Sequence, residues 1–495
     1  MKKNTKTYRM KRIILAFLTL AALFSAQSQT ANITIKGRAA NADGKEIELY
    51  RYTDQLSHAE TLLDHATIKP AGFELKMFAK YTTLVFLQVE NYSQSFYVEP
   101  GRTYEIYIPK FDWSIDEKKN VNLSPEALPV GFENLPKDEL NFKINDFDAL
   151  VDSFVSANRY YFDQKFHPQR RYFDTLCALV EKRMPDGKNA FFNRYKKFSL
   201  AELKFKLHFD SRKNMCSKYI GTQPPLYYDE NYMSMFFTIF ANSISGGNRY
   251  NNIHRLSRWI NNGAVATYMD SIGLDPLLRN EQIRELAARQ ALKESYHRTK
   301  YYKPDKVVSA LETLRSRTKF PEHRELIRNL LTLFSQNVKG SEVASFTLPD
   351  ADKKMVSLDS FKGKWIYLSF VRVGEPHSLR EIETLAYFKD SIYANSKNVE
   401  FVTICCDREF QKMYHFLRNS KHGAKYNWTW LHFNNNFKLL ERYGVVSFPT
   451  FLLINPDGKL QYAITPSPGS GLLVNPPWAE KKDTEKKSFF LNGGR

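Results

Sequence analysis

Tyr443-Gly444-Val445-Val446-Ser447-Phe448-Pro449-Thr450-Phe451-Leu452-Leu453-Ile454-Asn455-Pro456-Asp457-Gly458-Lys459 reads as a strand, a turn and a further strand, and it closes a longer series. Upstream, Gly340-Ser341-Glu342-Val343 leads to Phe346-Thr347-Leu348-Pro349-Asp350, Val356-Ser357-Leu358, Phe361-Lys362-Gly363-Lys364 and a strand-like run from Trp365 to Val371. A helical stretch from about Leu379 to Tyr393 separates that run from Val399-Glu400-Phe401-Val402-Thr403-Ile404, a short apolar strand with β-branched residues. Strands alternating with helices argue for a three-layer α/β domain.

In this order and with these phrases, residues 340–465 resemble the TlpA/ResA branch of the thioredoxin-like (redoxin) superfamily, over about a quarter of the chain. The resemblance implies a Cys-x-x-Cys pair at the N-terminus of the helix after the first core strand. There the helix dipole and free backbone N–H groups stabilise a thiolate that attacks a substrate disulfide. With Phe370 at the strand end and Arg380-Glu381-Ile382 on the helix, Glu375-Pro376-His377-Ser378 stands in that place. No cysteine lies between Cys216 and Cys405, so no small shift of register restores the pair, and a peroxidatic thiol is missing from the same region. Serine without a positioned base is a far weaker nucleophile, and a carboxylate cannot exchange with a disulfide.

Glu375-Pro376 reads as a helix start with an acid at the positive end of the dipole. The sharper alternative makes Glu375, His377 and Ser378 a polar recognition patch, or part of a metal or hydrolytic site. His415 and His432 are further histidines of the domain whose place relative to His377 spacing does not give. No nucleophile-elbow glycine pattern supports a hydrolase, and no ligand set specifies a metal or cofactor. Phe448-Pro449-Thr450 matches the family's cis-proline loop. In relatives this loop pairs by backbone hydrogen bonds with an extended substrate segment, which implies a peptide groove here; the alternative is a turn kept for rigidity alone. Cys405 and Cys406 end the strand on opposite faces and read as small core residues, with a displaced reactive thiol as the alternative. Cys177 and Cys216 are candidates for a disulfide if their Cα atoms come within about 7 Å.

The remaining chain falls into further regimes. Residues 29–110 have period two, as in Ile33 and Ile35, Phe73 and Leu75, Val85, Leu87 and Val89, and Tyr104, Ile106 and Ile108, and read as a small antiparallel β-sandwich. Gly37, Asp43-Gly44 and Phe96-Tyr97-Val98-Glu99-Pro100-Gly101 resemble the N-terminal β-domain, of unknown function, that often precedes thioredoxin-like domains in secreted bacterial proteins. Residues 111–139 mix charge with proline and form a connector. Residues 140–339 take helical spacing, as at Ile144, Phe147, Val151 and Phe154 and at Leu326, Leu330, Leu333 and Phe334, with Asp275-Pro276 and Pro304-Asp305 opening helices. Residues 466–495, with Pro466-Ser467-Pro468-Gly469-Ser470-Gly471 and the charged run Glu480 to Lys487, read as a mobile tail in which Phe489-Phe490-Leu491 is a candidate docking point. The expected class is a multidomain α+β chain: N-terminal β-sandwich, central α-helical domain, C-terminal thioredoxin-like α/β domain.

With 495 residues the chain is too long for one core, and 43% hydrophobic and 14% aromatic residues exclude global disorder. Six of its bases and no acid lie in residues 1–28, ahead of the apolar run Ile13 to Phe24 and small residues at Ala26 and Ser28. This is the layout of a signal peptide cleaved after Ser28, with an uncleaved membrane anchor as the alternative. Removing it lowers the net charge from +19 to +13 and leaves no later run of about 18 apolar residues to span a membrane. The expected home is the periplasm. Rings beside bases, as in Asn158-Arg159-Tyr160-Tyr161-Phe162, read as a helix with a ring core and basic outer face, and nucleic acid is not an expected partner. The function expected is therefore an exported, redox-inactive module that binds a protein or extended peptide in the cell envelope; the alternative is a thiol–disulfide oxidoreductase or antioxidant protein acting through Cys405 or Cys406.

Overall fold

Period-two burial builds the strands of the first third of the chain. In the computed structural model, β1 (Ile33–Ala39), β2 (Glu46–Tyr52), β3 (Glu60–Thr67), β4 (Phe73–Met77), β5 (Thr83–Val89), β6 (Tyr92–Val98) and β7 (Thr103–Ile108) are followed by the short β8 (Glu126–Ala127) and β9 (Gly131–Glu133). The structure describes residues 31–478 apart from 111, 114–124, 164–168, 222, 336–337, 395, 419–424, 446, 463–464, 471 and 475, so the signal-peptide segment, Glu480 to Lys487 and Phe489-Phe490-Leu491 lie outside the described residues. Two compact units emerge: one of residues up to Val89, Ser93–Phe111 and Ala127–Ala241, the other of Glu90–Tyr92, Asp112–Glu126 and the chain from Asn242.

In the first unit one sheet runs β4-β1-β7-β9, and the other runs β3-β2-β5-β6 and is completed by β8. The strands are not all antiparallel as expected from the sequence. β7 pairs with β1 in parallel, Ile35 opposite Tyr104, because the intervening chain crosses to the other sheet and returns in the same direction. Gly37 is explained by close approach: a Cβ there would meet the Phe73 ring at 2.3 Å. Helix α1 (Leu140–Ala157) buries Ile144 and Phe147 and packs with α2 (Arg170–Arg183) and α3 (Ala190–Lys206) through Phe173, Leu176, Val180 and Phe192. Asn141 fixes α1 to β6, accepting from Tyr97 N–H at 2.7 Å and donating to Tyr97 C=O at 2.9 Å. The unit ends with α4 (Glu230–Phe240), capped by Asp229. In the Asn158 to Phe162 stretch only Phe162 is buried, while Tyr161 stacks on Tyr172 with centroids 3.9 Å apart.

The second unit contains α5 (Ile253–Asn261), α6 (Val265–Ile272), α7 (Glu281–Tyr296), α8 (Pro304–Arg317) and α9 (Pro321–Ser335). Pro304 opens α8, but Asp275-Pro276 opens only a three-residue 3-10 turn, and the following helix starts at Glu281 under an Asn280 cap. On α9 Leu326, Leu330 and Phe334 are buried while Leu333 is 37% exposed, so the expected apolar face is one residue narrower. Arg289 is completely buried, donating to Glu285 Oε2 at 2.9 Å beside the His323 ring and the Thr318 hydroxyl.

The same unit carries the α/β layers. β12 (Trp365–Val371) is flanked by parallel β13 (Val399–Cys405) and antiparallel β15 (Thr450–Ile454), with β14 (Thr429–His432) beyond β13; β10 (Thr347–Pro349) and β11 (Met355–Ser357) form a separate pair. Ile366, Leu368 and Phe370 face one core with α12 (Phe437–Arg442), and Tyr367 and Val371 face the other with α10 (Pro376–Ser391). The described residues of 466–478 correct the mobile tail expected over 466–495. Leu473 is fully buried, Trp478 packs on Trp365 and Tyr393 at 5.9 and 5.8 Å, and the Tyr367 hydroxyl donates to Pro466 C=O at 2.9 Å. Proline and glycine spell irregular backbone, which is not the same as undocked backbone.

Candidate functional site

β12 stops at Val371, where the chain turns through Arg372, Val373 and Gly374 into the entrance of α10. Pro376 takes the first helical position, where its missing N–H is harmless, and Glu375 is the N-cap. Its carboxylate accepts the amides of His377 at 2.8 Å and Ser378 at 2.5 Å. Burial pushes the Glu375 pKa up, but these backbone bonds, the Ser378 hydroxyl and the nearby His377 outweigh it and hold the pKa below the ordinary carboxylate value. Ser378 is fully buried and His377 is exposed at the mouth. The acid expected at the positive end of the helix thus meets its donors there.

Across from the helix entrance lies the loop Phe448-Pro449-Thr450, with a cis Phe448–Pro449 bond. The two borders face a cleft of about 560 Å³ lined by His377, Glu381, Phe448, Pro449, Thr450 and Ser467 among others. The Arg372 guanidinium lies 4.7 Å from the Phe448 ring centroid, and the Thr450 hydroxyl donates to Ser447 C=O at 2.7 Å. The structure therefore gathers His377 with Phe448, Pro449 and Thr450 around one space. Glu381 belongs to that space and was missed in the sequence; its spacing of four residues from His377 on a helix was the available signal.

Cys405 ends β13, the strand next to β12, and Cys406 follows it. Cys405 and Cys406 are both buried, on opposite faces of the sheet. Cys405 donates to Asp407 Oδ2 at 3.1 Å, and the same oxygen accepts Val373 N–H at 2.7 Å, tying β13 to the turn before α10. Burial raises the Cys405 pKa well above the ordinary thiol value, and the Asp407 charge adds to it. Burial does the same to Cys406 despite the opposing Arg372 charge. The chemistry of a displaced nucleophile requires the reverse, exposure and a depressed pKa.

The other candidates disperse. His432 is buried with both ring nitrogens engaged, Nε2 with Asp407 C=O at 2.7 Å and Nδ1 with Asn434 N–H at 3.1 Å. Burial lowers its pKa, with the Asp407 backbone bond and charge opposing. His415 is exposed on α11 (Phe410–Arg418). Among the described residues no group of three His, Cys, Asp or Glu side chains is placed to hold a metal. The disulfide considered for Cys177 and Cys216 is not formed. Neither cysteine is in a disulfide: Cys177 is half-buried on α2 and Cys216 is buried in a π-helical turn before Gly221. Among the described residues no helix is long and apolar enough to cross a membrane.

Residues 363–460 match the family Thioredoxin_8, described as thioredoxin-like. Thiol-disulfide oxidoreductase ResA of Bacillus subtilis (strain 168) is 25% identical over 127 residues, 26% of this chain and 67% of that protein. A putative thiol-disulfide oxidoreductase from Bacteroides vulgatus, solved in solution, is 24% identical over 26% of this chain and 82% of that one, with a TM-score of 0.24. A secreted Mycobacterium tuberculosis disulfide oxidoreductase is also 24% identical, over 26% of this chain and 94% of its own, with a TM-score of 0.22. The C-terminal part of the chain is a TlpA/ResA-like thioredoxin-like domain related to thiol–disulfide oxidoreductases. That kinship favours the oxidoreductase alternative over the binding reading, while the residues at the helix entrance pull the other way.

Proposed function

We propose that residues 340–465 form a thiol-free binding module of an exported protein of the cell envelope, taking an extended protein segment into the cleft between α10 and Phe448-Pro449-Thr450. One observation carries the reading: the carboxylate at the first position of the expected thiol pair is engaged with the helix amides, beside a cleft of about 560 Å³ that retains both borders. Backbone pairing at the loop would supply affinity, and the apolar and polar lining would supply selectivity. The β-rich first unit and the helices of both units then serve as the remaining parts of the assembly factor. The test is capture of partners from an envelope extract by the wild type, Pro449→Ala and Glu375→Lys. Loss of the same captured proteins in both variants supports the cleft as the contact; unchanged capture by both moves the contact elsewhere on the chain.

A second reading is favoured by the kinship with Thiol-disulfide oxidoreductase ResA. In it Cys405 or Cys406 becomes accessible and performs the exchange. It predicts insulin-disulfide reduction at a rate comparable to an active thioredoxin, abolished by Cys406→Ser or Cys405→Ser. The binding reading predicts no such activity, and slow alkylation of both thiols in the native protein relative to half-buried Cys177.

A further inference from the structure

Glu381 is the acid inside the cleft. It is half-buried on α10, four residues after His377 and therefore on the same helical face, and it lines the cleft with Phe448, Thr450 and Ser467. Among the described residues its carboxylate makes one hydrogen bond, accepting Gly469 N–H at 3.3 Å, and no ion pair. An ionised carboxylate has about four lone-pair sites, so most of its acceptor capacity faces the cleft or solvent. The half-buried Phe448 ring, which lines the same cleft, suits the aliphatic stem of a long side chain whose charged head reaches an acid.

We infer that the cleft selects an extended segment carrying a lysine or arginine side chain, which pairs with Glu381 while the segment's backbone runs along the Phe448-Pro449-Thr450 loop. The inference rests on the peptide-groove reading above and adds the chemistry of the occupant. Its sign opposes the chain's overall field. A mature chain of net charge +13 draws acidic ligands at long range, so a preference for cationic peptides has to come from a local acid. An ion pair formed in a partly desolvated cleft is also stronger than one in open water.

The test uses a cellulose-bound array of random decapeptides probed with the full mature chain at about 0.15 M salt, where the Debye length of about 8 Å screens the long-range field. Wild type, Glu381→Gln, Glu381→Lys, Pro449→Ala and Thr450→Arg are compared, the last filling the cleft without altering the Phe448–Pro449 bond. The expected result is several-fold enrichment of Lys and Arg among peptides lost in Pro449→Ala or Thr450→Arg. Glu381→Gln should abolish the enrichment, and Glu381→Lys should turn it toward Asp and Glu. Groove-dependent peptides whose Lys and Arg content is unchanged in Glu381→Gln overturn this inference alone. If no peptide is sensitive to either Pro449→Ala or Thr450→Arg, the groove reading falls and the inference falls with it.

Discussion

Glu375 holds the amide of Ser378 at 2.5 Å, so the two positions where a thiol pair would stand are joined to each other across the first turn of α10. The arrangement satisfies a backbone donor that every helix N-terminus leaves over. It also gives the substitution a structural role, since the acid replaces by hydrogen bonding what a thiolate would have gained from the helix dipole.

Glu375→Ala should remove that cap and lower stability by about 0.5–2 kcal/mol, the usual range for loss of an N-cap. Urea unfolding followed by fluorescence measures it. A loss near zero would show that the amides are equally well served by water.

Acid should destabilise the second unit. Burial raises the Glu285 pKa, yet bonds from His323 and Thr318 and the Arg289 charge overcome it and bring it to about 2. Burial lowers the His323 pKa below its ordinary value, with Glu285 opposing. Both folded values are depressed, so the unfolded chain binds more protons and stability falls as pH drops, first through the His323 range below about 6.5 and then from about 4.5 toward 2. Melting curves from pH 7 to pH 3 should show this fall, and Glu285→Gln should flatten its lower limb.

The first unit should show the opposite sign. Glu230 on α4 accepts the Tyr97 hydroxyl at 2.8 Å and a Gln55 donor at 3.4 Å, and its pKa is pushed up to about 7, chiefly by burial, with the Asp229 charge adding to it. Its folded value is raised, so its contribution is complete below about pH 4.5 and is lost as pH rises through 7. Glu230→Gln should therefore stabilise the protein at pH 8, by up to about 3 kcal/mol, and change it little at pH 5. An equal effect at both values would contradict the assignment.

Much of this was legible in the sequence. Period two placed the strands around Ile35, Leu75 and Ile106, and separate phrases placed β12, α10, β13 and β15 because each is a locally consistent unit. Three features were not. The parallel pairing of β1 with β7 depends on where the chain returns, which no local period records. The docking of Pro466 to Trp478 depends on Tyr367, Tyr393 and Trp365, three rings far away in sequence. Glu381 joined the cleft only when the Phe448-Pro449-Thr450 loop was folded opposite it.

The docked segment has a measurable weight. Leu473 is fully buried in the core formed by Tyr367, Leu385 and Leu453, so Leu473→Ala should cost about 2–5 kcal/mol in thermal or chemical unfolding. A cost under about 0.5 kcal/mol would mean that the segment leaves that core in solution.

The central claim is binding without thiol exchange, and one measurement addresses both halves: capture from an envelope extract by wild type, Cys405→Ser/Cys406→Ser and Pro449→Ala, each eluted first with salt and then with dithiothreitol. The account predicts that wild type and the serine variant capture the same proteins, that salt releases them without reductant, and that Pro449→Ala captures less. Partners that depend on Cys405 or Cys406 and leave only with dithiothreitol would contradict it and establish thiol chemistry in its place.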